Sequence, residues 1–313
     1  MQRSLEFRVL GPLEVCDGDH RVALGGRKQR ALLAILLLHA NEVVSTDRLV
    51  DMLWGESPPQ TALTALHGHV SQLRKLLEPD RGPGADPSLL VTHAPGYVLR
   101  IAPQQLDLER FKALLASARE ASADGNRPEA AALLTDALAL WRGPPLADLE
   151  NEPFAQAALP PLADLRIAAT EERFEAELAS GGRPDLSAQL EGHIARHPLR
   201  ERPRGQLMLA LYRAGRQAEA LRAYQDARRT LVEEVGIEPG WDLRRLERAI
   251  LEQDPALDLP PAPARDAAPR TAPAPRRPRA RRSGSASSSS ATPARCAPGR
   301  SSTPAGSSRG CAS

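Results

Sequence analysis

The sequence predicts an α+β winged helix-turn-helix, then an all-α TPR-like helical-repeat domain, then a disordered tail. Three observations lead there. Short apolar runs broken by Gly11-Pro12 and Asp17-Gly18 open the chain; three helical patterns and a hairpin follow; and from Asp107 onward strand signals give way to helical periodicity. The expected boundaries are 1–103, 104–257 and 258–313.

Residues 5–15 and 21–24 read as short antiparallel strands. Residues 27–40, RKQRALLAILLLHA, form a helix stopped by Asn41, a residue that tolerates the left-handed conformation. A second helix starts from a Ser45 cap, turns Leu49, Leu53 and Trp54 inward, and ends at Gly55. A third is expected over 57–79, with Ser57, Pro58 and Gln60 read as a capping-box start. Strands over 89–92 and 97–101 flank His93-Ala-Pro-Gly96 as a hairpin. Strands, three helices and a hairpin in this order make a winged helix-turn-helix, with the third helix as the recognition element.

That third helix carries two chemistries. Leu63, Leu66, Val70, Leu73 and Leu77 fall on one face, the stripe of a helix packed on a core. Opposite lie Thr61, Thr64, Gly68, Ser71, Gln72 and Lys75, with His67 and Arg74 on a shoulder. This face has no carboxylate until Glu78, and small residues, hydroxyls, an amide and cations suit base edges and phosphates. Gly68 costs a helix interior about 1 kcal/mol, understandable where backbone must come close to a partner. Residues 1–103 hold eleven basic and eleven acidic residues, so a DNA footprint must come from local placement of Arg74, Lys75 and Arg100.

Helices are expected over 107–121, 127–141, 154–180, 185–196, 200–213, 216–234 and 241–252. An echo recurs at an offset of ninety: Gly125, Glu129, Ala130, Asp136 and Ala137 are matched by Gly215, Glu219, Ala220, Asp226 and Ala227. Small residues at these spacings let paired helices approach closely, as in a degenerate TPR-like stack. Beyond it, 255–313 contains no aromatic residue and few large aliphatic ones, and RRPRARR at 276–282 is a basic cluster read as solvated or as a non-specific phosphate binder.

Other chemistries are disfavoured. No nucleophile elbow, phosphate loop or metal cluster occurs, so no enzyme, cofactor or metal is expected; His193 and His197 stand four apart without a third ligand. Cys16, Cys296 and Cys311 are odd in number and far apart, which argues against a disulfide framework. The longest apolar run, 31–38, is too short for a bilayer, and no signal-peptide pattern opens the chain; a cytoplasmic location is expected.

HVSQLRKLLEP followed by a Gly-Tyr hairpin resembles the OmpR-type DNA-binding domain. The resemblance implies DNA contacts at Gly68, Gln72, Arg74 and Lys75; Gln72 stands where that family usually has arginine. Thr64, His67, Ser71, His93 and Arg100 complete the candidate set. WRGPPLADL, HPLRERPRGQLMLALYRAGRQAEALRAY and LVEEVGIEPGWDLRRLERAILEQDPAL are similar to the bacterial transcriptional activation domain. Together the two parts resemble the Streptomyces antibiotic regulatory protein family. This implies a pathway-specific activator that binds direct repeats in promoter DNA as a homo-oligomer and contacts RNA polymerase. The competing expectation is a helical-repeat adaptor that acts through protein partners alone.

Overall fold

The computed structural model describes residues 5–82 and 84–259; the expected tail, its basic cluster, Cys296 and Cys311 lie outside them. Strands β1 (Leu5–Arg8), β2 (Glu14–Asp17) and β3 (His20–Arg21) form an antiparallel sheet in that order. Helices α1 (Arg27–Leu38), α2 (Thr46–Trp54) and α3 (Ala62–Leu77) follow. A second antiparallel sheet then sets β6 (Gly96–Leu99) between β4 (Val44–Ser45) and β5 (Leu90–His93).

Local chemistry accounts for these boundaries. Ser45 Oγ accepts from Arg48 N at 3.3 Å to start α2, and Gly55 at φ 62° ends it. Asn41 adopts φ 65°, and its side chain both accepts from Ile101 N (3.1 Å) and donates to Ile101 O (3.0 Å), fastening the end of α1 to the exit of β6. At Gly96 a Cβ would collide with the Val44 carbonyl oxygen, so only glycine lets β4 and β6 pair here.

Two expectations about α3 need correction. The helix begins at Ala62, with 57–59 in no regular structure and 60–61 a turn, because a residue before proline is pushed out of the helical region and Pro58 precedes Pro59. The Ser57 capping box therefore does not form. Leu63 is 52% exposed rather than buried, because it falls at the edge of the apolar arc and Ala62 takes the inward position in the first turn; Ala62, Leu66, Val70, Leu73 and Leu77 make the buried stripe.

Among the described residues seven α-helices follow: α4 (Asp107–Ala123), α5 (Arg127–Ala139), α6 (Ala155–Ala179), α7 (Leu186–Arg196), α8 (Glu201–Arg213), α9 (Gln217–Val235) and α10 (Trp241–Glu252). Pro203 lies in the first turn of α8, where its missing N–H removes no helical bond. The ninety-residue echo is structural. Asn126 N donates to Ala121 O and Arg216 N to Leu211 O, both at 2.9 Å, around Gly125 and Gly215 at φ 80° and 74°. Ala130 and Ala137 are fully buried, as are Ala220 and Ala227, so the pairs α4–α5 and α8–α9 close on small side chains in the same register.

The apolar core does not stop at the end of the hairpin. One cluster runs from Phe7 through α1 and α3 into Phe111, Leu134, Trp141 and Phe154; a second collects Phe174, Leu190, Met208, Tyr224 and Ile250. Polar bonds seal the first. Asp107 accepts from Val9 N (2.8 Å) and Leu10 N (3.0 Å), Leu13 N donates to Asp148 (2.7 Å), and Arg30 pairs with Asp148. The Glu152 carboxylate, 3% exposed, meets Arg27 Nε at 2.5 Å and Lys28 Nζ at 2.8 Å. Helix α1 is thereby fixed to the segment leading into α6.

Candidate nucleic-acid interface

On α3 the buried stripe turns the other face outward. Thr64, His67, Gly68, Ser71, Gln72 and Lys75 are all exposed, as is Thr61 just before the helix, and no carboxylate lies among them. An added Cβ at Gly68 would meet nothing within 4 Å, so no packing inside the protein asks for glycine at this position. Toward α1, His69 is half-buried, and its pKa is pulled below the ordinary histidine value by burial and then by Lys28. His69 therefore adds no charge near neutral pH, and the cation on the outward face is Lys75.

Arg74 is differently placed. Its Nε donates to Leu90 O at 2.8 Å, its terminal nitrogen donates to Thr92 Oγ1 at 2.7 Å, and its guanidinium sits 5.8 Å from the Tyr97 ring centroid. It ties α3 to the hairpin. The pairing register carries the signal for this contact: Thr92 and Tyr97 are directly opposed across β5 and β6, and side chains at paired positions share a face.

The same register separates the remaining candidates. His93 and Arg100 fall on the other face of the hairpin, where they line a shallow recess with Asn41, Val43 and Val98. Both are exposed, His93 at the tip and Arg100 where the second strand ends. The tip is anchored, since Pro95 O accepts from Thr46 N (3.2 Å) and Thr46 Oγ1 (3.1 Å). The structure thus brings Thr64, His67, Gly68, Ser71, Gln72 and Lys75 together, spends Arg74 on geometry, and sets His93 and Arg100 beside the helix on a separate surface. Leu63, placed by periodicity on the apolar stripe, instead borders the donor face on the shoulder of His67. An exposed apolar side chain there can meet a thymine methyl.

Elsewhere, no group of three His, Cys, Asp or Glu able to hold a metal occurs among the described residues, and no described helix is long and apolar enough to cross a membrane.

Comparisons with known proteins agree with this layout. Residues 20–99 match the family described as transcriptional regulatory protein, C terminal, and residues 106–251 the bacterial transcriptional activator domain. The regulatory protein AfsR of Streptomyces coelicolor is 41% identical over 87% of the chain, which spans 27% of AfsR's length. The transcriptional regulator RedD of the same organism is 38% identical, with 82% of the chain and 73% of RedD aligned. Among solved structures, Mycobacterium tuberculosis EmbR in complex with a low-affinity phosphopeptide superposes with TM-score 0.77 at 39% identity, covering 81% of this chain and 66% of that one.

Proposed function

The chain belongs to the Streptomyces antibiotic regulatory protein family of transcriptional regulators, and on that premise we propose that it activates transcription by laying α3 in the major groove of promoter DNA. The observation that carries this reading is the outward face of α3: donors, small residues and one lysine, open to solvent, with a glycine the fold itself does not need. A major groove about 12 Å wide admits such a helix, and Gln72 has the geometry for a bidentate contact to adenine. Lys75 supplies a phosphate contact. Arg74 positions the hairpin as a wing, whose His93 and Arg100 reach the flanking backbone.

Placement on the duplex rests on few cations, so a single copy binds modestly and occupancy comes from neighbouring copies on direct repeats. The helical module supplies self-association and contact with RNA polymerase; the regulated genes are a secondary-metabolite cluster, and the protein works in the cytoplasm. Because α1 is bonded to the segment before α6 through Glu152, the DNA-facing helix and the module turn as one piece. The test is a mobility shift with upstream DNA of the neighbouring gene cluster. Retardation that survives excess unrelated duplex supports the reading; no retardation at low salt overturns it.

A further inference from the structure

The helical module holds a second concentration of positive charge that the DNA-binding reading does not use. Between α5, α6 and α7, beside the loop at Pro144 and Pro145, lies a cavity of about 640 Å³, within the range of small-molecule sites. Its lining includes the apolar Leu138 and Ile167 together with three arginines and two histidines, and no Asp or Glu lines the cavity.

Arg173 is already satisfied by Glu177 at 2.5 Å and Gln189 at 2.8 Å. Arg166 and Arg196 are not. Their hydrogen bonds go to backbone carbonyls, Gly143 at 3.2 Å and Gly192 at 3.0 Å, and neither has a carboxylate within ion-pairing distance among the described residues. Arg166 is held in place by stacking on Trp141, 5.3 Å from the ring centroid. Burial and then Arg196 pull its pKa down, as expected for like charges sharing a site. His193 is 3% exposed, and its buried Nε2 has no hydrogen-bond partner: Glu171 Oε1 stands 3.8 Å away, and the next ring, His197, is centred 4.9 Å from its own.

Arg166 and Arg196, like charges close together without a counter-ion, are unfavourable neighbours until an anion joins them, and guanidinium forks match phosphate geometry. We propose that this cavity binds a small organic phosphate, its phosphoryl group held by Arg166 and Arg196 and its less polar body lying against Leu138 and Ile167. Helix α5 contributes to the first apolar core and α7 to the second, so an occupant bridges the two halves of the module.

Isothermal titration of the full chain with AMP, glucose 6-phosphate and phenyl phosphate tests this, with adenosine and inorganic phosphate as controls. At least one organic phosphate should bind saturably with Kd below about 1 mM. Arg196→Glu, at an exposed position, should weaken that binding at least about tenfold, the loss of one charge-assisted contact. Arg222→Glu should not. Arg222 is an exposed arginine on α9 that makes the same kind of bond to the carbonyl four residues back, outside the cavity. If Arg196→Glu folds poorly, Arg196→Gln reads the same loss. No saturable binding by any of the three, equal loss in both variants, or binding of adenosine or inorganic phosphate as tight as the organic phosphates would each overturn the proposal.

Discussion

Replacing Gly68 with alanine separates what the fold needs from what the DNA needs. Nothing lies within 4 Å of a Cβ at this position, and its φ is the ordinary helical one, so the methyl enters open solvent without strain. Alanine in place of glycine in a helix interior stabilises by about 1 kcal/mol. For a unit of this size that raises Tm by roughly 2–4 °C. The same methyl projects from the middle of the donor face, where the proposed docking brings base edges or phosphates close to the backbone. We expect affinity for the cognate promoter to fall by about tenfold, or about 1.4 kcal/mol, opposite in sign to the stability change. Urea denaturation and fluorescence anisotropy on one preparation read both quantities. Higher stability with unchanged DNA affinity would refute a close approach at Gly68, and lower stability would refute the open space read from the structure.

Three further outcomes follow from the contacts. Arg74→Ala frees the hairpin from α3 and leaves Leu90 O without its donor; it should cost about 1–3 kcal/mol in denaturant unfolding and weaken DNA binding without altering base preference, whereas unchanged stability would mean that the wing is held otherwise. Replacing Arg27 and Lys28 together by alanine strands the buried Glu152 carboxylate and should cost about 3 kcal/mol, more than Glu152→Gln, whose former partners can turn to water; the reverse order would show that Glu152 is not the constrained member. Burial raises the Glu171 pKa, but His193, Arg200 and Arg202 outweigh burial and hold it below its ordinary 4.5. A carboxyl depressed in the folded state contributes fully above that value and loses its contribution as pH falls through the folded pKa. Glu171→Gln should therefore flatten the acid side of a urea-midpoint profile below about pH 4.5, and an unchanged acid limb would contradict the pairing.

What the sequence made legible is what depends on neighbours along the chain. The seven helices of the module were readable because Gly125, Gly215 and Gly236 stop their helices and alanines recur at fixed spacing; each sits within a few residues of its expected ends. The start of α3 was not, because a Ser-Pro signal that favours a helix start was followed by a second proline that forbids one. Leu63 shows the limit of periodicity: a leucine at the edge of the apolar arc can stand in solvent while its small neighbour Ala62 takes the buried position. Arg74 shows another: a shoulder arginine is equally suited to a phosphate and to a carbonyl sixteen residues later, and only pairing of β5 with β6 decides where it bonds. The apolar core continuous from Phe7 to Phe154 rests on contacts such as Asp107 with Val9, ninety-eight residues apart, that no local pattern encodes.

The most direct measurement of the central claim is the salt dependence of promoter binding by the wild-type chain, Lys75→Ala and Gln72→Ala. If α3 lies in the groove, Lys75→Ala weakens binding to every duplex and reduces the slope of log K against log salt by about 0.9. Gln72→Ala then leaves that slope in place and loses about 1–3 kcal/mol of discrimination at one base pair. Unchanged slopes and unchanged base preference in both variants would contradict the assignment of this helix to DNA.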